Sequence, residues 1–166
     1  MDAIGVEYMV TGSMALNFYA LPRTTRDIDI VVDVAPADRR FLIKVLVEDF
    51  EADADVIRDA LQRNEIFNVL TPSFVKIDVI SRDRQMDHER VFQRRNTFTL
   101  RDQQVKVISP EDLVLAKLYW ARESKSEMQF RDIRNLLAGA DIDREYILKR
   151  ARELGLVGVW REVNEP

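Results

Sequence analysis

The chain has 166 residues, 46% of them hydrophobic and 33% charged, which is enough apolar material for one domain, or one domain with a helical appendage. A formal net charge of −4, with the two signs interspersed, excludes a strongly basic nucleic-acid coat, so any RNA contact is expected to be local and salt-sensitive. The absence of cysteine excludes disulfides, thiolate zinc sites and cysteine nucleophiles; with no secretory leader pattern and no long apolar run, the expectation is a cytoplasmic protein that does not span a membrane.

Residues 6–10 predict a short buried strand that runs into a turn at Gly12-Ser13. Ser13 is expected to cap a helix over 14–20, which Leu21-Pro22 ends. Residues 27–33 alternate as a strand that finishes in Ile30-Val31-Val32. Pro36 opens a predicted helix to about Glu48 with Phe41, Leu42, Val45 and Leu46 on its apolar face. A shorter helix over 55–63 has Val56, Ala60 and Leu61 as apolar members. Residues 65–70 and 74–80 read as two strands joined by Thr71-Pro72-Ser73, a hairpin. The stretch 81–95 is polar and arginine-rich: a solvated face, or a hold on an acceptor's phosphates. The lone His88 within it reads as surface.

Short strands are expected at 97–100 and 105–108. Ser109-Pro110-Glu111-Asp112 is a strong helix start: an N-cap serine, proline at N1, then acids in the first turn; that helix runs to about Arg122. Helices over 128–137 and 143–154 follow, punctuated by Gly139 and Gly155. Trp120, Trp160 and the phenylalanines read as core. The pattern is α+β, a mixed β-sheet flanked by helices, with a core over 1–108 and a C-terminal helical segment over 109–166 packed on it.

Three carboxylates stand out. Side chains at i and i+2 of a strand share a face, so Asp27 and Asp29 project together, with α-carbons roughly 6–7 Å apart at about 3.3 Å per residue. Adjacent carboxylates repel unless a cation lies between them, and Mg²⁺ takes oxygen ligands while leaving positions open for phosphate. Asp78 sits mid-strand between Ile77 and Val79, where a bare charge needs a partner. If its strand lies beside that of Asp27 and Asp29, the three converge as in two-metal phosphoryl displacement. Gly12-Ser13, at a strand-to-helix turn with free N–H groups, suits an anion. A phosphate cradle beside a carboxylate pair points to phosphoryl or nucleotidyl transfer.

In order, Thr11-Gly12-Ser13-Met14-Ala15-Leu16, Arg23-Thr24-Thr25-Arg26-Asp27-Ile28-Asp29 and Lys76-Ile77-Asp78 resemble the polymerase-beta-like nucleotidyltransferase superfamily. The Arg-x-Thr-x-Asp-x-Asp form looks most like the branch of abortive-infection (AbiEii-type) toxin transferases and related minimal bacterial proteins. That branch carries a helix with a lysine, here Lys117, then an Arg-Asp, here Arg131-Asp132. The resemblance covers roughly 6–138. It implies the nucleotidyltransferase type of sheet and Mg²⁺-dependent transfer of a nucleoside monophosphate from an NTP, such as ATP, to a hydroxyl of RNA, protein or a small molecule. It further implies nucleotide contacts from Gly12, Ser13, Arg23, Lys117 and Asp132, metal at Asp27, Asp29 and Asp78, and catalysis by those three aspartates with Lys117. An antitoxin partner follows if the chain is a toxin; the alternative is a fold-keeping protein that binds without catalysis. Lys117 precedes Trp120 by three residues, so its other reading is a stem packed on that ring, and Asp132 could simply pair with Lys117.

Overall fold

The computed structural model describes residues 5–81 and 88–164, the side chain of His88 excepted. Among these the chain forms β1 (Glu7–Thr11), α1 (Gly12–Leu16), β2 (Asp27–Asp33), α2 (Arg39–Asp49), α3 (Ala54–Arg63), β3 (Ile66–Leu70) and β4 (Lys76–Ser81). After these come α4 (His88–Gln93), β5 (Asn96–Leu100), β6 (Gln103–Val107), α5 (Pro110–Ser124), α6 (Glu127–Gly139), α7 (Arg144–Glu153) and α8 (Val157–Asn164). The fold is α+β, with a mixed six-stranded sheet in the order β3-β4-β2-β1-β6-β5. β1 runs antiparallel to β2 and parallel to β6, β2 and β4 are parallel, and the β3–β4 and β5–β6 pairs are antiparallel hairpins.

Strand alternation sorts side chains to two cores. On one face Val32 of β2, Val79 of β4 and Phe67 and Val69 of β3 pack with Leu42, Ile43 and Leu46 of α2 and Ile57, Ala60 and Leu61 of α3. On the other face Val31 of β2 joins its partner Met9 and Leu16 against Leu113, Val114 and Leu118 of α5, and this core continues through Ile133, Leu136, Ile147 and Val159 of α6, α7 and α8. Asp27 and Asp29 have the parity of Val31, so they face α5. The same alternation sends Ile30 and Ile77 toward α2 and α3.

Side-chain caps start α3, α5, α6 and α7. Asp53 accepts from the N–H groups of Asp55 (2.8 Å) and Val56 (3.2 Å), Ser109 accepts from Asp112 N–H (3.2 Å), and Asp143 accepts from Tyr146 N–H (2.9 Å). Several expectations fail. Ser13 is not a cap: α1 starts two residues earlier than expected, at Gly12 with Thr11 at the N-cap, and ends at Leu16. Phe41 and Val56 are 50% and 58% exposed; Ile43 and Ile57 take the buried positions instead, because only one side of each helix meets the sheet. Phe74 and Trp120 are exposed rather than core. α4 arises inside the stretch read as polar, and α8 beyond the last predicted helix.

The described arginines of the 81–95 stretch serve the fold. Arg94 donates to Asp112 (3.1 Å) and Glu111 (2.9 Å) and lies 3.9 Å over the Tyr146 ring, whose hydroxyl donates to Asp112 at 2.9 Å. This ties α4, α5 and α7 together around buried carboxylates. Arg95 pairs with Glu7 and donates to the Tyr8 carbonyl at 3.1 Å, and Arg90 lies 3.9 Å from Glu153. Arg82, Arg84 and the His88 side chain, to which sequence expectations also attach, lie outside the described residues. Among the described residues no helix is long and apolar enough to cross a membrane.

Candidate active site

A cleft of about 310 Å³ opens where α1, β2, β3, β4, α5 and α6 meet. Its polar lining comes from Thr11, Gly12, Ser13, Asp29, Asp78, Lys117 and Gln129. The apolar lining comes from Ile66 and Ile80 on the sheet and Leu113, Ala116 and Trp120 on α5. Five of the eight residues singled out in the sequence therefore share one cavity. Asp27, Arg23 and Asp132 do not line it.

Asp29 and Asp78 are register partners on parallel neighbours, β2 and β4, strands that stand about 4.8 Å apart. Asp27 lies two residues before Asp29, opposite Lys76. Burial, then the charge of Asp78, push the Asp29 carboxyl above the usual carboxylate range; the Ser13 backbone N–H and the charge of Lys117 oppose this, and Asp27 adds to it. Lys76 lies 2.8 Å from Asp78, and that contact raises its ammonium above the ordinary lysine range.

Gly12 explains how Asp29 reaches the turn. Its φ is +62°, a left-handed conformation that side chains disfavour, and a β-carbon there would lie 1.9 Å from Asp29 Oδ2. Only glycine lets the backbone and the carboxylate meet.

Behind the cleft wall is a charged network. Lys117, only 4% exposed, donates from Nζ to Asp132 at 2.8 Å and to Gln129 Oε1 at 3.1 Å. Asp132, 2% exposed, also accepts two bonds of 3.0 Å from the Arg23 guanidinium, whose Nη2 donates to the Ser13 hydroxyl as well. Arg23 is anchored by Asn17, which accepts from its N–H at 2.9 Å and donates to its carbonyl at 3.0 Å. Burial alone would raise the Asp132 carboxyl, but Arg23 and Lys117 together hold it below the usual range. Burial draws the Lys117 ammonium down, and Asp132 opposes that. Asp132 thus holds Lys117 directly and reaches Ser13 through Arg23.

Among the described residues no group of three or more His, Cys, Asp or Glu side chains is arranged to hold a metal ion. Asp78 is drawn to Lys76 and Asp29 to the Ser13 N–H, so each carboxylate is satisfied separately. The donor chemistry nonetheless fits a hard divalent cation: carboxylate oxygens only, two of them facing the same cleft, with mutual repulsion that a cation relieves.

Sequence reasoning missed Gln129 and Trp120 as lining residues. The signal for both was spacing. Gln129 lies three residues before Asp132, and Trp120 three after Lys117, so each shares a helix face with a residue already singled out.

No curated protein matches the sequence. The fold is similar to the crystal structure of an antigenic nucleotidyltransferase-like protein from Paracoccidioides brasiliensis, with a TM-score of 0.54 and 21% identity over 98% of this chain and 84% of that one. It is also similar to the lincomycin-bound lincosamide antibiotic adenylyltransferase LnuA (TM-score 0.53, 15% identity, 82% of this chain and 89% of that one). A third likeness is to the solution structure of the antibiotic-resistance factor ANT(2'')-Ia (TM-score 0.54, 13% identity, 97% and 91%). At these identities the likeness is one of fold. The sequence itself, over residues 5–154, matches the family described as nucleotidyl transferase AbiEii toxin, Type IV TA system, and with nine-tenths of its length so matched the chain belongs to that family.

Proposed function

We propose that the protein transfers a nucleoside monophosphate from an NTP to a hydroxyl acceptor in a Mg²⁺-dependent reaction. The observation that carries this reading is the meeting of Asp29 and Asp78, partners across β2 and β4, with Gly12-Ser13 and Lys117 in one cleft. Asp27, Asp29 and Asp78 would hold the metal, which when bound would neutralise phosphate charge and favour ionisation of the attacking hydroxyl.

In this reaction the acceptor oxygen forms a bond to the α-phosphorus. The bond from that phosphorus to the bridging oxygen breaks, and pyrophosphate leaves. The hydroxyl proton passes to a carboxylate, for which Asp78 is our assignment. Gly12 through its backbone N–H and Ser13 through its hydroxyl hold phosphate oxygens. Lys117 supplies positive charge where negative charge develops, and it is held there by Asp132 and Gln129 before any ligand arrives. Arg23 aims the Ser13 hydroxyl and completes the shell around Asp132.

Family membership favours a specific setting: the toxin component of a toxin–antitoxin pair in the cytoplasm, with an RNA or protein acceptor and an antitoxin partner. The test is incubation with each α-labelled NTP and total cellular RNA or protein, with and without Mg²⁺. Mg²⁺-dependent label transfer that Asp29→Asn abolishes supports the reading. A parent protein that labels nothing with any NTP favours the fold-keeping, non-catalytic alternative. Growth arrest on expression, relieved by the neighbouring gene and absent in Asp29→Asn, separates a toxin from a housekeeping transferase.

A further inference from the structure

The cleft's lining extends past its polar residues onto an apolar wall of Ile66, Ile80, Leu113, Ala116 and Trp120. Its polar half ends at Lys117, and one turn further along α5 stands Trp120, 56% exposed. Residues three apart on a helix share a face and are about 4.5 Å apart along the axis. Trp120 lines the same cavity as Lys117, together with Ile66, itself 50% exposed, and Ala116. Nothing in the fold accounts for the indole there. Its one ring contact is edge-on to Tyr119 at 6.3 Å, and its N–H has no hydrogen-bond partner among the described residues. An exposed tryptophan beside a second exposed apolar side chain, inside a cavity whose other wall is charged, is a surface that water wets poorly.

We infer that the Trp120 ring is the platform on which the base of the bound nucleotide stacks. This rests on the proposed reading of the cleft as a nucleotide site. An NTP has a charged end and a flat, largely apolar end separated by a ribose. With phosphates at Gly12-Ser13 and Lys117, the sugar spans the turn of α5 between Lys117 and Trp120, and the base meets the indole. Ile66 of β3 bounds the same space from the sheet side. Every base presents a π-face, so a stacking platform of this kind tolerates all four bases and favours purines by their larger area. Gln129 adds a polar contact nearby: its Oε1 is committed to Lys117, leaving its amide N–H groups to the cleft.

Trp120 and Trp160 are the only tryptophans in the chain, so Trp120 reports on itself in a Trp160→Phe protein. Fluorescence is titrated with each NTP, with inorganic tripolyphosphate and with a short single-stranded RNA, all with Mg²⁺ and none with a second ligand. Thermal shift records binding in parallel. Stacking predicts that NTPs quench the emission, ATP and GTP most, while tripolyphosphate binds without quenching. Trp120→Ala in the otherwise native chain should weaken NTP binding about five- to hundred-fold, the loss of one stacked base. It should leave tripolyphosphate binding and the melting temperature nearly unchanged, because the side chain is more than half exposed, and Trp120→Phe should recover most of the affinity. This Kd comparison does not depend on the Trp160→Phe background. NTP binding that neither quenches Trp120 nor weakens in Trp120→Ala overturns the platform and leaves the transferase reading intact. Quenching by RNA but not by NTP also overturns it, assigning the ring to the acceptor. No binding of any NTP by either measurement overturns both.

Discussion

Asp29 Oδ2 occupies the space that a side chain on Gly12 would need, 1.9 Å from the position of its β-carbon. The first turn of α1 and the carboxylate of β2 are thus built around a missing side chain. Gly155 has a similar φ, +70°, with open space around it. Gly12→Ala should therefore suffer left-handed strain plus displacement of Asp29, and Gly155→Ala the strain alone, of order 1 kcal/mol. We expect Gly12→Ala to be the less stable of the two and to lose Mg²⁺-dependent NTP binding, whereas Gly155→Ala keeps it. Chemical denaturation and NTP titration check both; equal stability and equal binding in the two variants would rule out the steric account.

Asp132 holds two buried or half-buried cations at once, so its charge is part of the fold. Its carboxyl lies below the usual range when folded. The unfolded group titrates near pH 4, so the stability this interaction supplies is fully present above about pH 4 and is lost as pH falls through the lower folded value. Asp132→Asn should lose about 3 kcal/mol at neutral pH, and the gap to the parent should narrow as pH falls below about 4. Melts from pH 7 down to pH 3 test this; a gap that does not change with pH would mean that the charge of Asp132 is not what stabilises the fold.

Because Lys117 and Asp132 are partners, their substitutions should not add. Lys117→Met removes the ammonium and leaves Asp132 to Arg23 alone, which costs stability, unlike a lysine whose stem merely packs on Trp120. In the Asp132→Asn background the same change should cost at least about 1 kcal/mol less. Its effect on turnover is separate: loss of one preorganised electrostatic contact predicts at least about a hundred-fold fall in kcat, with NTP affinity within about tenfold. Additive stabilities across the double-mutant cycle would refute the pairing, and full activity in folded Lys117→Met would remove Lys117 from the reaction.

NTP with Mg²⁺ should raise the melting temperature, by the equivalent of about 2.7 kcal/mol when the ligand is at a hundred times its Kd. Asp27→Ala combined with Asp29→Ala should abolish the Mg²⁺-dependent part of that shift. An undiminished shift in the double variant would place the nucleotide away from these carboxylates.

Local chemistry makes much of this protein legible in its sequence. β2 begins and ends where its alternation predicts, and α5 begins at Ser109-Pro110-Glu111-Asp112, because strand parity and helix capping act over a few residues. The same short-range rules put Asp27 and Asp29 on one face and single out Gly12 and Asp78, whereas Lys117 stands out only through the family resemblance that these residues carry. Tertiary structure decided what depends on distant neighbours. Parallel pairing of β2 with β4 brings Asp78 opposite Asp29 across 49 residues of chain, and no local preference specifies which strands become neighbours. Arg23 meets Asp132 across 109 residues and so links Ser13 to Lys117, a connection no local rule specifies. Which apolar side chains are buried was decided in the same way: Phe41, Val56 and Trp120 fit an amphipathic pattern, yet the sheet covers only one flank of α2 and α3, and the cleft leaves the indole of α5 open. Periodicity says that a helix has an apolar side, while the partner that packs against it determines how wide that side is.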